Sequence, residues 1–256
     1  MVSPEGNTVT PKENSQQENK LLAYSLLDKI NQIQESTRHL PNFLGSNAWV
    51  VSGKHTLNKK PILANDPHMK YSLPSSWYEA HIVTPSFELY GHFLPGIPTA
   101  LLGHNRQLSW GVTMLLHDDL RIYKEKTKGS PPSHALFDDE WIPVQNETEN
   151  IKVKGEKDVT IHVSKTHNGP IISNLLPNLQ NDNQTVSLAW DFFDPKNNLL
   201  SAFYEISHAE NTGDMQTAVS KIISPGLNIL YADAQDNIAW WVAGKIATTT
   251  PKSKEN

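Results

Sequence analysis

Apolar and polar positions recur with two different periods along this chain, and the period changes near residue 45. Before that point Leu22, Leu26, Ile30 and Ile33 are spaced by four, four and three, one apolar stripe of a helix over 20–37. Pro41 and Gly45 end that segment. After it the apolar runs are short. Residues 46–52 and 61–65 flank a polar stretch at 55–60 and predict a β-hairpin. Residues 76–83, 87–93, 100–102 and 108–113 continue the strand-like pattern, punctuated by Pro85, Pro95, Gly96 and Pro98. Residues 126–150 read as polar, with a loop at 128–132. Residues 151–154 and 159–163 alternate apolar and polar side chains and predict two half-exposed, paired strands. Residues 174–184 read as another loop. Helices are predicted at 199–209 and 215–223, with Asn211 to Asp214 supplying the stop and the cap between them. Residues 228–232 and 238–243 predict strands joined by a turn at 233–237. The pattern is that of an α+β chain with mainly antiparallel strands.

Composition narrows the picture. Residues 1–19, rich in Ser, Pro, Asn, Gln, Glu and Thr, are expected to be a disordered leader, and 248–256 a disordered tail. Between them the expected order is a helical spacer over 20–45 and one domain over 46–247. The net charge is −5 and no basic cluster stands out beyond Lys252 and Lys254, which argues against a nucleic-acid partner. There are no cysteines, hence neither disulfides nor thiolate metal sites. No apolar run reaches the length of a membrane span. The first 20 residues lack the apolar core of a signal peptide. The His residues show no HExxH spacing.

The candidate chemistry begins at Gly45-Ser46-Asn47, a small-residue junction leading into an apolar run. A Ser hydroxyl needs a base to become a nucleophile. A Ser at a chain terminus carries one, because its α-amino group has a pKa near 7.7–8.0. Downstream, several motifs follow in order: Asn65-Asp66-Pro67-His68, Pro95-Gly96-Ile97-Pro98, Gly103-His104-Asn105, Ser109-Trp110-Gly111-Val112-Thr113, Thr166-His167-Asn168-Gly169-Pro170 and Tyr231-Ala232-Asp233. Together they resemble the penicillin acylase family of N-terminal-nucleophile hydrolases over residues 45–246, including its acyl-homoserine lactone acylase branch.

That resemblance implies a four-layer αββα sandwich, incomplete here, and hydrolysis of the carbon–nitrogen bond in linear N-acyl amides. It implies autocatalytic cleavage of the Gly45–Ser46 bond, with Ser46 then the nucleophile. It implies that His68 helps to orient Ser46, and that the backbone at Met114-Leu115, Leu115 before Met114, donates an N–H to an oxyanion hole. The penicillin G branch binds calcium near Asp118 and Leu120. Here Arg121 stands where that branch has an acidic ligand, and a guanidinium only donates and repels a cation, so no metal and no other cofactor is expected. His104 is expected near the floor of the site. The implied partners are a small-molecule N-acyl amide and an α chain of the same precursor, and the implied location of the parent enzyme is periplasmic or secreted. The family's side-chain oxyanion Asn and positioning Arg have no matching position here. The 256 residues alone are therefore expected to be an inactive fragment. A non-catalytic, β-rich binding or structural module is the alternative reading.

Overall fold

In the computed structural model of the chain, residues 43–69, 71–175 and 184–246 are described, together with positions 20, 23, 24, 27, 28 and 31, which are helical. The apolar stripe at Leu22, Leu26, Ile30 and Ile33, the leader over 1–19 and the tail over 248–256 lie outside the described residues. The described residues form two compact units, one of 43–121 with 190–246 and one that includes 122–175 and 184–189.

The larger unit opens with β1 (Phe43–Val51) and β2 (Ile62–Met69), an antiparallel hairpin with Ser46 opposite Pro67 and Val51 opposite Ile62. Then come β3 (Tyr78–Val83), β4 (Glu88–Phe93), β5 (Leu102–His104) and β6 (Leu108–Met114). The chain enters the smaller unit along β7 (Leu120–Glu125), continues through β8 (Thr127–Lys128), β9 (His134–Phe137), β10 (Glu140–Pro143), β11 (Gln145–Ile151), β12 (Val159–Thr166) and β13 (Gly169–Pro170), and leaves along β14 (Thr185–Trp190). It returns through helices α1 (Leu199–His208) and α2 (Thr212–Val219) to β15 (Leu227–Asp233) and β16 (Ile238–Ala243).

In the larger unit one antiparallel sheet runs in the order β16-β15-β6-β5-β4-β3. Strand alternation puts Trp110, Ile229 and Tyr231 on one face, where they are buried against Ala202, Phe203 and Ile206 of α1 and Met215 and Ala218 of α2. Spacings of three and four on each helix make that stripe. The Asn211 side chain caps α2 by accepting from the N–H groups of Gly213 and Asp214. The opposite face meets the β1–β2 hairpin at Gly111. A Cβ there would lie 3.0 Å from the Cβ of Asn65, so only glycine lets the hairpin approach this closely.

The smaller unit corrects part of the sequence reading. Residues 126–150, read as polar with a loop at 128–132 and given no strands, contain the sheet β10-β9-β8 and most of β11. Asp138 and Asp139, both at positive φ, form the two-residue turn between β9 and β10. Strand β11 pairs with β12, as expected of these segments, but it is built from the polar run 145–150 rather than from 152–154. Its exposed residues are joined across the pair by polar contacts, Ser164 to Asn146, Thr160 to Asn150 and Lys165 to Glu147.

Glu125 ties this unit together. Burial alone pushes its carboxyl up. Hydrogen bonds from Ser187, Asn168 and Thr166, with the nearby His167, more than offset this and hold it below its usual value of 4.5. A depressed folded-state pKa stabilises above the unfolded value and is lost as pH falls through the folded one. The melting temperature of this unit is therefore expected to fall as pH drops below about 4.5. Glu125→Gln should flatten that dependence in a thermal melt followed by circular dichroism.

Candidate active site

Ser46 sits in β1, half-buried, and borders a cavity of about 240 Å³. Pro67, Leu102, Val112, Met114, Phe203 and Leu227 line it further, with Ile97 from a loop and Phe192 from a short 3-10 turn. Apart from Ser46 and Thr113 the named walls are apolar or aromatic. The cavity lies wholly within the larger unit.

Why it forms follows from the edge of β6. Strand β5 pairs with β6 only through His104 opposite Ser109 and Gly103 opposite Trp110. Beyond Trp110, no strand among the described residues pairs with β6 on that side, and buried backbone groups left there need other partners. Asn65 supplies them for Val112. Its Oδ1 accepts from the Val112 N–H (2.8 Å), and its Nδ2 donates to the Val112 carbonyl (3.0 Å) and to the Asn47 carbonyl (2.8 Å). One side chain thus stands in for a strand and fastens the hairpin that carries Ser46 to the sheet.

The same alternation separates the two candidate oxyanion donors. The Leu115 N–H donates to the Gly226 carbonyl at 2.9 Å. In an antiparallel ladder the next position points the other way. Met114, opposite Leu227, therefore turns its N–H to the side of Val112 and Asn65, past the end of β5, and Met114 also lines the cavity. The sequence reading placed Leu115 first; the geometry leaves Leu115 engaged in the sheet and Met114 turned away from it.

His68 is not on the face of Ser46. Register pairs it with Gly45, and Gly45, Asn47, Asp66 and His68 share the solvent side of the hairpin, opposite to Ser46 and Pro67. Its ring stands over Gly45, where a Cβ would lie 3.3 Å from Nδ1. Its Nε2 is 2.8 Å from Asp66 Oδ2 and 3.2 Å from Asn47 Nδ2. His104 is also away from the cavity, tilted against Tyr90 on the surface of β5. The adjacent Asn105 shapes the turn into β6 and donates to the carbonyls of Ser207 and Ala209.

In the residues after β6, basic side chains stand among the carboxylates. The Asp118 carbonyl accepts from Arg121, and the Asp119 carboxylate from Ser224 at 2.7 Å. Leu120 opens β7 with its side chain exposed. Arg121 donates to both oxygens of Asp191, at 3.0 and 3.1 Å, and Lys245 lies 3.3 Å from the same carboxylate and 3.2 Å from Asp194. Asp194 and Asp191 in turn hold the Lys245 amine above its usual range. Arg121 and Lys245 thus occupy the Asp191 and Asp194 carboxylates, and Asp119 accepts from a neutral hydroxyl. Among the described residues no group of three or more His, Cys, Asp or Glu is arranged to hold a metal, and no helix is long and apolar enough to cross a membrane.

A penicillin amidase family model matches residues 6–255. Similar curated proteins include the acyl-homoserine lactone acylases QuiP of Pseudomonas aeruginosa, 27% identical over 78% of this chain and 24% of the relative, and of Pseudomonas fluorescens strain Pf0-1, 30% identical over 80% and 25%. Penicillin G acylase of Escherichia coli is 27% identical over 76% of this chain and 22% of its own length. Among solved structures, the thermostable penicillin G acylase of Alcaligenes faecalis matches with a TM-score of 0.65 at 22% identity, over 77% of this chain and 35% of that one. The chain spans about a quarter of the length of the curated relatives it matches.

Proposed function

This chain belongs to the penicillin amidase family, and from that footing we propose that it serves the hydrolysis of linear N-acyl amides through an acyl-enzyme on Ser46. The observation that carries the proposal is the opening of Ser46 onto an apolar cavity also bordered by Met114. In this reading the Gly45–Ser46 bond is first cleaved by the chain itself. The freed α-amino group then takes the Ser46 hydroxyl proton, and the oxygen attacks the acyl carbonyl. The charge that develops is met by the Met114 N–H, a donor fixed before reaction begins. The acyl group enters the cavity, where Ser46, Thr113 and the Trp77 indole are the lining side chains able to hydrogen-bond. The acyl group is therefore an apolar one, and the amine faces out. An α chain of the same precursor is the partner this reading implies. No step passes through a metal.

Acylation by an activated ester needs only the nucleophile and modest oxyanion help, so it tests the proposal directly. Incubation with p-nitrophenyl octanoate should leave one octanoyl group on a peptide beginning at Ser46, seen by mass spectrometry. Absence of both the acyl group and the new terminus would favour the non-catalytic alternative. Each methylene withdrawn from water contributes about 0.8 kcal/mol, so octanoyl, with its extra methylenes buried, should exceed acetyl in second-order acylation rate by a factor on the order of 10³–10⁴. Ile97 lies in a loop of the cavity wall. Ile97→Asp is expected to erase most of that chain-length preference while leaving acetylation unchanged.

A further inference from the structure

His117 lies two residues past Leu115, in the turn after β6, and its ring fills the space that Gly226 and Gly244 leave open. A Cβ on Gly226 would overlap Nδ1 and Cε1 of that ring and would lie 3.2 Å from Nε2. A Cβ on Gly244 would lie 3.3 Å from Nε2 and 3.2 Å from the Cα of Gly226. The ring thus rests on glycine backbone, an approach that any larger residue at 226 would block.

Polar bonding is a minor part of this contact. A carbonyl only accepts, so the 3.4 Å contact between Nδ1 and the Leu115 carbonyl puts a proton on Nδ1. That distance is long for a hydrogen bond. Nε2 is buried and has no partner among the described residues. What the site takes from His117 is therefore a flat ring of fixed size against the Gly226 backbone. Gly226 is where that ring meets the reaction. Its carbonyl accepts from the Leu115 N–H at 2.9 Å, and its neighbours Pro225 and Leu227 both line the acyl cavity. The Leu115–Gly226 bond turns the Met114 N–H the other way, so whatever holds Gly226 also aims Met114. The residues just before it are fastened by side chains. Ser224 donates to Asp119, and Asn197 accepts from the N–H groups of Ile223 and Ser224. Gly226 has no side chain of its own and takes its place from the ring.

We propose that His117 is a positioning residue for acylation: its ring presses on Gly226 and so fixes the Met114 N–H where the charge of the tetrahedral intermediate develops. The inference rests on the reading of Ser46 and Met114 above. It predicts a defect in the chemical step alone. A group misplaced by about 1 Å costs on the order of 10² in rate, while the walls that hold the acyl chain stay in place.

The test compares variants of the 256-residue chain, each checked for folding by circular dichroism. Acylation is measured with p-nitrophenyl acetate and octanoate, and binding with 1-octanol, which enters the cavity without reacting. His117→Ala is expected to lower both acylation rates by the same factor, roughly 10–10², and to leave octanol affinity unchanged. Hydrogen exchange at the Leu115 N–H, followed by NMR, should speed up in that variant. His117→Phe, which keeps a flat ring, should acylate much faster than His117→Asn, which keeps a donor near the Nδ1 position and no ring. Gly226→Ala should be impaired, and adding His117→Ala to it should recover part of the loss, because the new methyl group then has room. Acylation by folded His117→Ala at the unsubstituted rate would overturn the proposal. So would a loss confined to octanoate or matched by lost octanol affinity, since His117 would then only shape the cavity wall. Equal rates in the Phe and Asn variants would overturn it as well, and that comparison holds even where the alanine variant does not fold. If the unsubstituted chain takes no acyl group on Ser46, the Ser46 reading itself fails and this inference falls with it.

Discussion

Ser46→Ala is expected to leave the Gly45–Ser46 bond uncut and to remove all covalent acylation of the chain. Under the proposed reading two independent losses meet at this position. The hydroxyl that opens the junction is gone, so no terminus forms. The nucleophile is gone too, so the cavity can hold an acyl group but not bond to it. In serine hydrolases of other folds, removal of the nucleophile costs about 10⁶ in turnover, nearly as much as removing the whole catalytic set. A loss of that order, to background, is expected here when acylation by the activated ester is compared with that of the unsubstituted protein. The fold should tolerate the change. Ser46 is only half-buried, and the hairpin is held by Asn65 and by the β1–β2 ladder rather than by the serine. An unaltered melting temperature with no acylation is the expected combination. Acylation of the alanine variant at the unsubstituted rate would sink the assignment of Ser46.

Much of this layout was written in local patterns. The hairpin, the strands of the six-stranded sheet and α1 follow from periods of two and of three to four, because each buries one face against a neighbour. Strand β11 was missed because both of its faces are wet, so nothing in its hydropathy alternates. The β9–β10 hairpin was missed because its signal is two aspartates at positive φ, weaker than a glycine-containing turn. At the candidate site, the family pattern pointed to Gly45-Ser46 and to the segment 114–115, but not to the directions their groups take. The face of His68 follows from strand parity only after the register pairs it with Gly45. The choice between Met114 and Leu115 needs the Gly226 partner, more than a hundred positions downstream. Asn65 stood inside a recognised motif without a role, since an asparagine that replaces a strand edge has no local signature.

Arg121→Met is expected to cost on the order of 3 kcal/mol of stability, because it leaves the Asp191 carboxylate buried with only Lys245 beside it. Asp191 is 7% exposed, and Arg121 meets both of its oxygens, the geometry in which a guanidinium is hardest to replace. The same arginine also donates to the Asp118 carbonyl, so it closes the turn after β6 onto the segment that follows β14. For a chain of this size each kcal/mol moves the melting temperature by about 2–4 °C, which places the expected fall at roughly 6–12 °C. Arg121→Met combined with Asp191→Leu should recover most of the loss, since removal of both partners leaves no uncompensated buried charge. Lys245→Met alone should cost much less, because that side chain is half in water. A chelator should leave the unsubstituted melting temperature where it is, the role of a bound cation being filled by Arg121 and Lys245. A drop of several degrees on chelation would show that oxygens near Asp118 hold an ion, and that the basic residues share the work instead of replacing it.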